Sequence, residues 1–170
     1  MRRLLLIALV AIFSFAAAHT TSSPRAEPAT ATLERISYTE LAARVKNLKG
    51  QVVVVDFWAD YCPPCKREFP RLMALHRKHQ QAGLTVISVS LDDPADSDAQ
   101  ERAKQFLDKQ QATCVNYLLN EKPEVWQAKL RTQGPPCVFV FNRRGELLKV
   151  YRNGVDYTDV ERLVADALKE

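Results

Sequence analysis

The sequence predicts an α/β protein in which a mixed, mostly parallel sheet is flanked by helices. Short runs of β-branched and aromatic residues alternate with segments of helical periodicity, the order of strand–helix–strand units. One of these runs, "QVVVVDFW" (51–58), is β-branched and aromatic almost throughout, as strands buried on both faces are, and "LTVISVSLD" (84–92) reads as a second buried strand. The last two, "CVFVF" and "ELLKVY", are separated only by Asn142-Arg143-Arg144-Gly145, whose Asn and Gly suit a hairpin turn. The sheet is therefore expected to close with an antiparallel edge.

The chain opens with "MRRLLLIALVAIFSFAAAHT": Arg2 and Arg3 precede an apolar run over 4–15, and Ala16-Ala17-Ala18 has the small-x-small form of a signal-peptidase site. Residues 1–18 are expected to be a signal peptide cleaved after Ala18. The alternative is an uncleaved N-terminal anchor, but 4–18 is shorter than the ~20 apolar residues of a bilayer crossing. Either reading exports the rest to the periplasm or another extracytoplasmic space, where thiols meet oxidising conditions. Contact with a membrane is expected only if the segment stays attached.

Residues 19–32, "HTTSSPRAEPATAT", have no apolar period and read as a flexible linker, leaving 33–170 as one folded domain. The formal net charge of the full chain is only +4, and Arg2 and Arg3 leave with the signal. That excludes a nucleic-acid-binding charge pattern.

Ser37-Tyr38-Thr39-Glu40 has the form of a capping box, with Leu41, Val45 and Leu48 behind it at helical spacing, so a short helix is expected to end by Gly50. After the first strand, residues 63–80 read as a helix with Phe69, Leu72, Met73, Leu75 and His76 largely on one side. Beyond the second strand, "DDPADSD" opens a helix over about 99–110 carrying Ala103, Phe106 and Leu107. "CVNYLL" (114–119) is a third strand, and Pro123 suits the first position of a helix through Leu130. After the hairpin, residues 156–168 form a final amphipathic helix. There is no internal repeat and no glycine-rich phosphate loop, and no cofactor is expected.

The chemistry concentrates in "VDFWADYCPPCKREFP" (55–70). A strand ending at Trp58 and a helix starting near Pro63 place Cys62 at a helix N-terminus, where free amides and the dipole favour a thiolate. Cys62 is the candidate nucleophile. Cys65, one turn inside the helix, would be shielded and would act second, attacking the sulfur of Cys62 to resolve a mixed disulfide. A zinc site from Cys62, Cys65, Cys114 and Cys137 is the competing reading, but two prolines inside the first pair and no second C-x-x-C are poor material for one. A purely structural disulfide across so small a loop would remove little chain entropy.

"VDFWADYCPPCK" resembles the active-site segment of the thioredoxin superfamily. "CPPCKREFP", with Glu68 and Pro70 after the second cysteine, is similar to the secreted TlpA/ResA-like branch, as is "GPPCVFVFNRRGEL" ahead of the last strands. The resemblance implies a thioredoxin-like fold with a helix-strand unit inserted between residues 94 and 119. It implies a protein thiol–disulfide oxidoreductase with Cys62 attacking and Cys65 resolving. Asp56 would be the buried acid that relays the resolving thiol's proton, Glu68 the carboxylate that tunes the pair, and Pro136 a cis-proline beside the disulfide. Pro135, Trp58 and Tyr61 would share the substrate side with Pro136, and Pro70 would kink the active-site helix. The partners implied are a protein disulfide substrate and a membrane thiol donor, in cell redox homeostasis or cytochrome c maturation.

The chain also departs from that pattern. Pro63 removes one amide that C-G-P-C would offer a thiolate, Tyr61 stands where thioredoxins often have Trp, and Pro135 lacks the N–H that would pair with a substrate backbone. The lost donor and the two carboxylates disfavour a thiolate, so a reductant is expected rather than a strong oxidant. A copper-binding or assembly factor on the same fold is an alternative, though such proteins usually have wider cysteine spacing and a late histidine, and His79 is the last one here. A peroxidase is another, since "VISVSLD" and the insertion also resemble peroxiredoxins, but no lone cysteine in a Pro/Thr-rich loop is present. Cys137 is either a third redox thiol or a small buried hydrophobe. It would lie about three strand spacings, ~14 Å, from Cys114, too far for a disulfide. His76 and His79 are expected on a solvated or half-buried helix face, and no metal site is expected.

Overall fold

The computed structural model describes residues 30–170, so the expected signal peptide and nearly all of the expected linker lie outside the described residues. Strands β1 (Glu34–Ile36), β2 (Val52–Trp58), β3 (Leu84–Ser90), β4 (Val115–Leu119), β5 (Cys137–Phe141) and β6 (Leu147–Arg152) form one sheet in the order β1-β4-β3-β2-β5-β6. Helices α1 (Tyr38–Asn47), α2 (Pro63–His79), α3 (Ser97–Lys109), α4 (Pro123–Leu130) and α5 (Tyr157–Ala167) connect and cover them.

All of β2 is buried, Asp56 included, because it sits mid-sheet between β3 and β5. It pairs in parallel with β3, Asp56 opposite Ser88 and Trp58 opposite Ser90, and antiparallel with β5, Asp56 opposite Val138 and Phe57 opposite Cys137. On one face Trp58 packs edge-on against Phe69 of α2 at 5.5 Å and tilted against Phe106 of α3 at 5.0 Å. Such pairs contribute roughly 0.5–1.5 kcal/mol each beyond area burial. The Trp58 indole N–H donates to the Ser88 hydroxyl at 2.8 Å, which satisfies its polar atom inside the core. On the other face Phe57 meets Phe139 edge-on at 5.5 Å, beneath α1 and Leu130 of α4.

The Ser37–Glu40 capping box is formed on α1, and Pro123 opens α4. The Asn142 side chain accepts the amides of Arg144 and Glu146 and closes the hairpin turn. The buried side of α2 is Cys65, Phe69, Leu72, Met73, Leu75 and His76. His76 thus belongs to the core, not to the solvated or half-buried face expected, and burial lowers its pKa.

The sequence reading misses β1. Three residues are too few for a period, yet they pair in parallel with β4, Ile36 opposite Leu119. The inserted strand β4 is therefore interior, and β1 takes the edge of the sheet. Order also begins before the expected domain start at residue 33: Ala31 is buried and its amide donates to the Asp108 carboxylate at 2.7 Å. Helix α3 starts at Ser97, two residues earlier than the apolar period suggests, because the Asp96 side chain caps it by accepting the amides of Asp98 and Ala99.

Candidate active site

The end of β2 delivers the chain into a tight loop, Ala59-Asp60-Tyr61, that leads to Cys62 as the N-cap of α2. The Cys62 amide donates to the Ala59 carbonyl at 3.0 Å, and the Cys65 amide donates to the Cys62 sulfur at 3.3 Å. With Pro63 at the first helical position, that amide is the local donor left for this sulfur. Cys62 and Cys65 form a disulfide with their Cα atoms 5.4 Å apart. Exposure does not separate the two: Cys62 is 4% and Cys65 5% exposed. Tyr61 beside them is 61% exposed.

Below the disulfide lies a cavity of about 300 Å³. Asp56, Cys65, Glu68, Pro136 and Tyr157 are among the residues that line it, so β2, α2, the segment before β5 and α5 all contribute. Asp56 is 3% exposed, and burial pushes its carboxyl up to about 7, with a hydrogen bond from the Tyr157 phenol opposing part of that rise. Glu68 is half-buried, its carboxylate 3.7 Å from the Arg71 guanidinium. The Pro135–Pro136 peptide bond is cis, and both prolines are partly buried.

Trp58, expected on the substrate side, does not reach it. It is fully buried under α2 and α3, since the alternation of β2 turns it to the same face as Asp56 and into the aromatic cluster with Phe69 and Phe106. Cys137 is fully buried opposite Phe57, and burial pushes its thiol up to about 11. Cys114 is buried as well, its thiol pushed up to about 12 by burial and then by Asp56. Both are free, and β3 and β2 stand between their strands. Among the described residues, no group of three or more His, Cys, Asp or Glu side chains is placed to hold a metal ion.

Two parts of the site escape sequence reasoning. Asp92, 2% exposed, accepts the Asp60 amide with both carboxylate oxygens and the Ser90 hydroxyl at 2.7 Å. The Asp60 carboxylate is in turn held by Lys66 at 2.7 Å and Arg102 at 2.9 Å; burial raises its pKa, but these two cations outweigh burial and keep it low. The other part is Tyr157, the first residue of α5. No local pattern marks either, because each faces its partner only through the sheet register and the packing of α5 on α2.

The AhpC/TSA family profile matches residues 29–150, most of the described chain. The chain belongs to the AhpC/TSA family. Within it the chain is a TlpA/ResA-like member of the thioredoxin superfamily. It is 26% identical over 120 residues to "Thiol-disulfide oxidoreductase ResA" of Halalkalibacterium halodurans, covering 71% of this chain and 64% of that relative, a little under two thirds of its length. It is 26% identical over 167 residues to "Sporulation thiol-disulfide oxidoreductase A" of Bacillus subtilis, covering 98% of this chain and 92% of the relative. Among solved structures, a thiol:disulfide interchange protein DsbE from Chlorobium tepidum superposes with a TM-score of 0.58 at 25% identity, over 72% of this chain and 83% of that one. A thiol-disulfide isomerase from Corynebacterium glutamicum superposes with a TM-score of 0.61 at 24% identity, over 73% and 84%, which speaks for the thioredoxin-like fold alone. This AhpC/TSA member therefore has the α/β architecture expected, with α3 and β4 as the inserted unit. No helix among its described residues is long and apolar enough to cross a membrane.

Proposed function

We propose that this AhpC/TSA-family protein is an exported thiol–disulfide oxidoreductase that reduces protein disulfides. The observation that carries the reading is the Cys62–Cys65 disulfide at the start of α2, beside a cavity that Cys65 lines together with Asp56 and Glu68. The names of the related proteins support it, and residues 1–18 support export.

In the reduced protein the Cys62 thiolate attacks one sulfur of a substrate disulfide. The Cys62–substrate bond forms, the substrate S–S bond breaks, and the first substrate sulfur leaves as a thiol after taking a proton. Cys65 then loses its proton to a carboxylate of the cavity and attacks the Cys62 sulfur. The intramolecular disulfide forms as the second substrate thiol leaves, so two electrons have passed to the substrate. A thiol donor, membrane-bound in this reading, restores the pair. Asp56, with its carboxyl near 7, is suited to exchange a proton with Cys65 around neutral pH. Glu68 and Pro136 line the cavity with Cys65, and Tyr61 and Pro135 adjoin Cys62 and Pro136 in the chain; Glu68 is assigned to tuning the pair and the other three to meeting substrate.

Pro63 and the two carboxylates all disfavour a stable thiolate, so the direction proposed is reduction, with a potential nearer thioredoxin's about −270 mV than DsbA's about −120 mV. Equilibration with glutathione buffers checks this, and a potential above about −180 mV overturns the direction. The activity itself is tested by Cys65→Ser, which retains the attacking thiol and lacks the resolving one. Expressed in an exporting cell, it is expected to carry a partner released by reductant. Absence of any such adduct, together with equal disulfide reduction by wild type and Cys62→Ser, overturns the proposal. Peroxide consumption, the alternative that the family match raises, is measured in the same preparations and is expected to remain at background.

A further inference from the structure

We propose that Tyr157 is a positioning residue for the resolving half-reaction: its phenol, held against α2 by Arg71, donates a hydrogen bond that keeps the Asp56 carboxylate ready to take the Cys65 proton. The inference rests on the oxidoreductase reading and adds to it a residue that lies far from the C-x-x-C segment in sequence.

The geometry is specific. Tyr157 is the first residue of α5, 3% exposed, and it lines the same cavity as Asp56, Cys65 and Glu68. Arg71 of α2 lies over its ring, 5.9 Å from the centroid. That guanidinium is fixed to α5 by hydrogen bonds to Glu161 at 3.0 Å and Thr158 at 3.2 Å, and it reaches back to Glu68 on its own helix. One arginine thus ties α5 to the active-site helix and holds the phenol over the cavity.

The groups facing Asp56 come from four directions. Tyr157 approaches from α5, and Cys65, Arg67 and Glu68 from α2. Cys137, paired with the neighbouring Phe57, and Cys114, ahead of β4 and beyond β3, feel Asp56 through space, each with its thiol pushed up first by burial. Neither ionises near neutrality, and Arg67 is exposed to solvent. The phenol is therefore the buried neutral donor that shares the cavity with this carboxylate. Its own proton is secure, since burial and then Asp56 push its pKa well above the usual tyrosine value. A hydrogen bond to the charged form of an acid favours that form. Without the phenol, buried Asp56 would hold its proton to higher pH and fewer molecules would present a base to Cys65.

Tyr157→Phe keeps the ring, its packing and the contact with Arg71 while removing only the donor. In the oxidised full chain, the Asp56 carboxyl carbon is titrated by NMR, which needs no activity. The midpoint is expected to move up by half a pH unit or more, and an unmoved midpoint overturns the proposal. In the second arm, a mixed disulfide is formed at Cys62 with glutathione and its release by Cys65 is followed against pH. Release is expected to be about two- to fivefold slower than wild type at pH 7, as a shift of half to one unit from about 7 implies, with the two converging by pH 9. A merely structural role would slow it equally at every pH. Should the variant not fold, the wild-type Tyr157 ring carbon bearing the hydroxyl decides the matter, because it is expected to titrate with the same midpoint as Asp56. If wild type exchanges no disulfides, the functional reading falls while the titrations still test the Tyr157–Asp56 pair.

Discussion

Both carboxylate oxygens of Asp92 accept the backbone amide of Asp60, at 3.1 and 3.0 Å, two residues before Cys62. Asp92 follows the end of β3, so the second strand of the parallel pair clamps the loop that leads to Cys62. Replacing it leaves a buried amide and the Ser90 hydroxyl without their acceptor. Asp92→Ala is expected to destabilise the oxidised protein by about 1–3 kcal/mol, the cost of unsatisfied buried donors, in urea unfolding at pH 7. A change below a few tenths would mean that the clamp is not formed in solution.

Asp56 predicts a pH dependence whose sign follows from its raised carboxyl. Between the ordinary value of 3.8 and about 7, the folded protein binds a proton that the unfolded chain has released. This group's contribution to stability is therefore greatest below the ordinary value and is lost as pH rises through about 7. Asp56→Asn removes the penalty, so the variant is expected to gain on the order of 2–4 kcal/mol relative to wild type at pH 8. The gain should vanish near pH 4. Paired urea titrations at the two values check it, and an equal effect at both would contradict the buried-acid assignment.

Pro63→Ala restores the missing amide at the start of α2. One more donor to the Cys62 thiolate is expected to lower its pKa by about half to one unit. The reduced form gains in proportion, and the redox potential becomes less negative by roughly 15–30 mV. Thiolate absorbance at 240 nm against pH and glutathione equilibration measure the two effects, which should move together. A potential that becomes more negative would refute the role given to the lost donor.

The two free thiols, Cys114 and Cys137, are buried and held above the usual range. Iodoacetamide applied to the oxidised native protein at pH 7.5 is expected to label neither within an hour. Both should be labelled once the chain is unfolded in denaturant without reductant. Rapid native labelling of Cys137, read by mass spectrometry, would restore it as a third redox thiol.

Much of this protein is decided locally. The buried composition of β2, the Ser37–Glu40 box, the prolines that open α2 and α4 and the Asn–Gly hairpin each specify an element through interactions spanning a few residues. The Cys-Pro-Pro-Cys pair is legible for the same reason, since a strand followed at once by a helix fixes where its sulfurs stand. The role expected of Asp56 came with the resemblance of the segment around Cys62 to thioredoxin active sites, and the short stretch of one strand and one loop between the two keeps that segment recognisable.

Tertiary structure decided what depends on register and on the meeting of distant elements. Strand β1 exists because β4 offers it a free edge, since three residues have too little periodicity to declare themselves. Trp58 is directed into the Phe69–Phe106 cluster and away from the surface by the pleat of β2 and the position of α3. Asp92 meets Asp60, and Tyr157 meets Asp56, across separations in sequence that no local pattern spans. The sequence by itself determined which segments become strands and helices and where the reactive pair lies, because those are short-range consequences of side-chain shape and hydrogen bonding. The protonation of Asp56 and the anchoring of the Cys62 loop were decided by the fold, because burial and through-space contacts arise only when the sheet and its covering helices close around them.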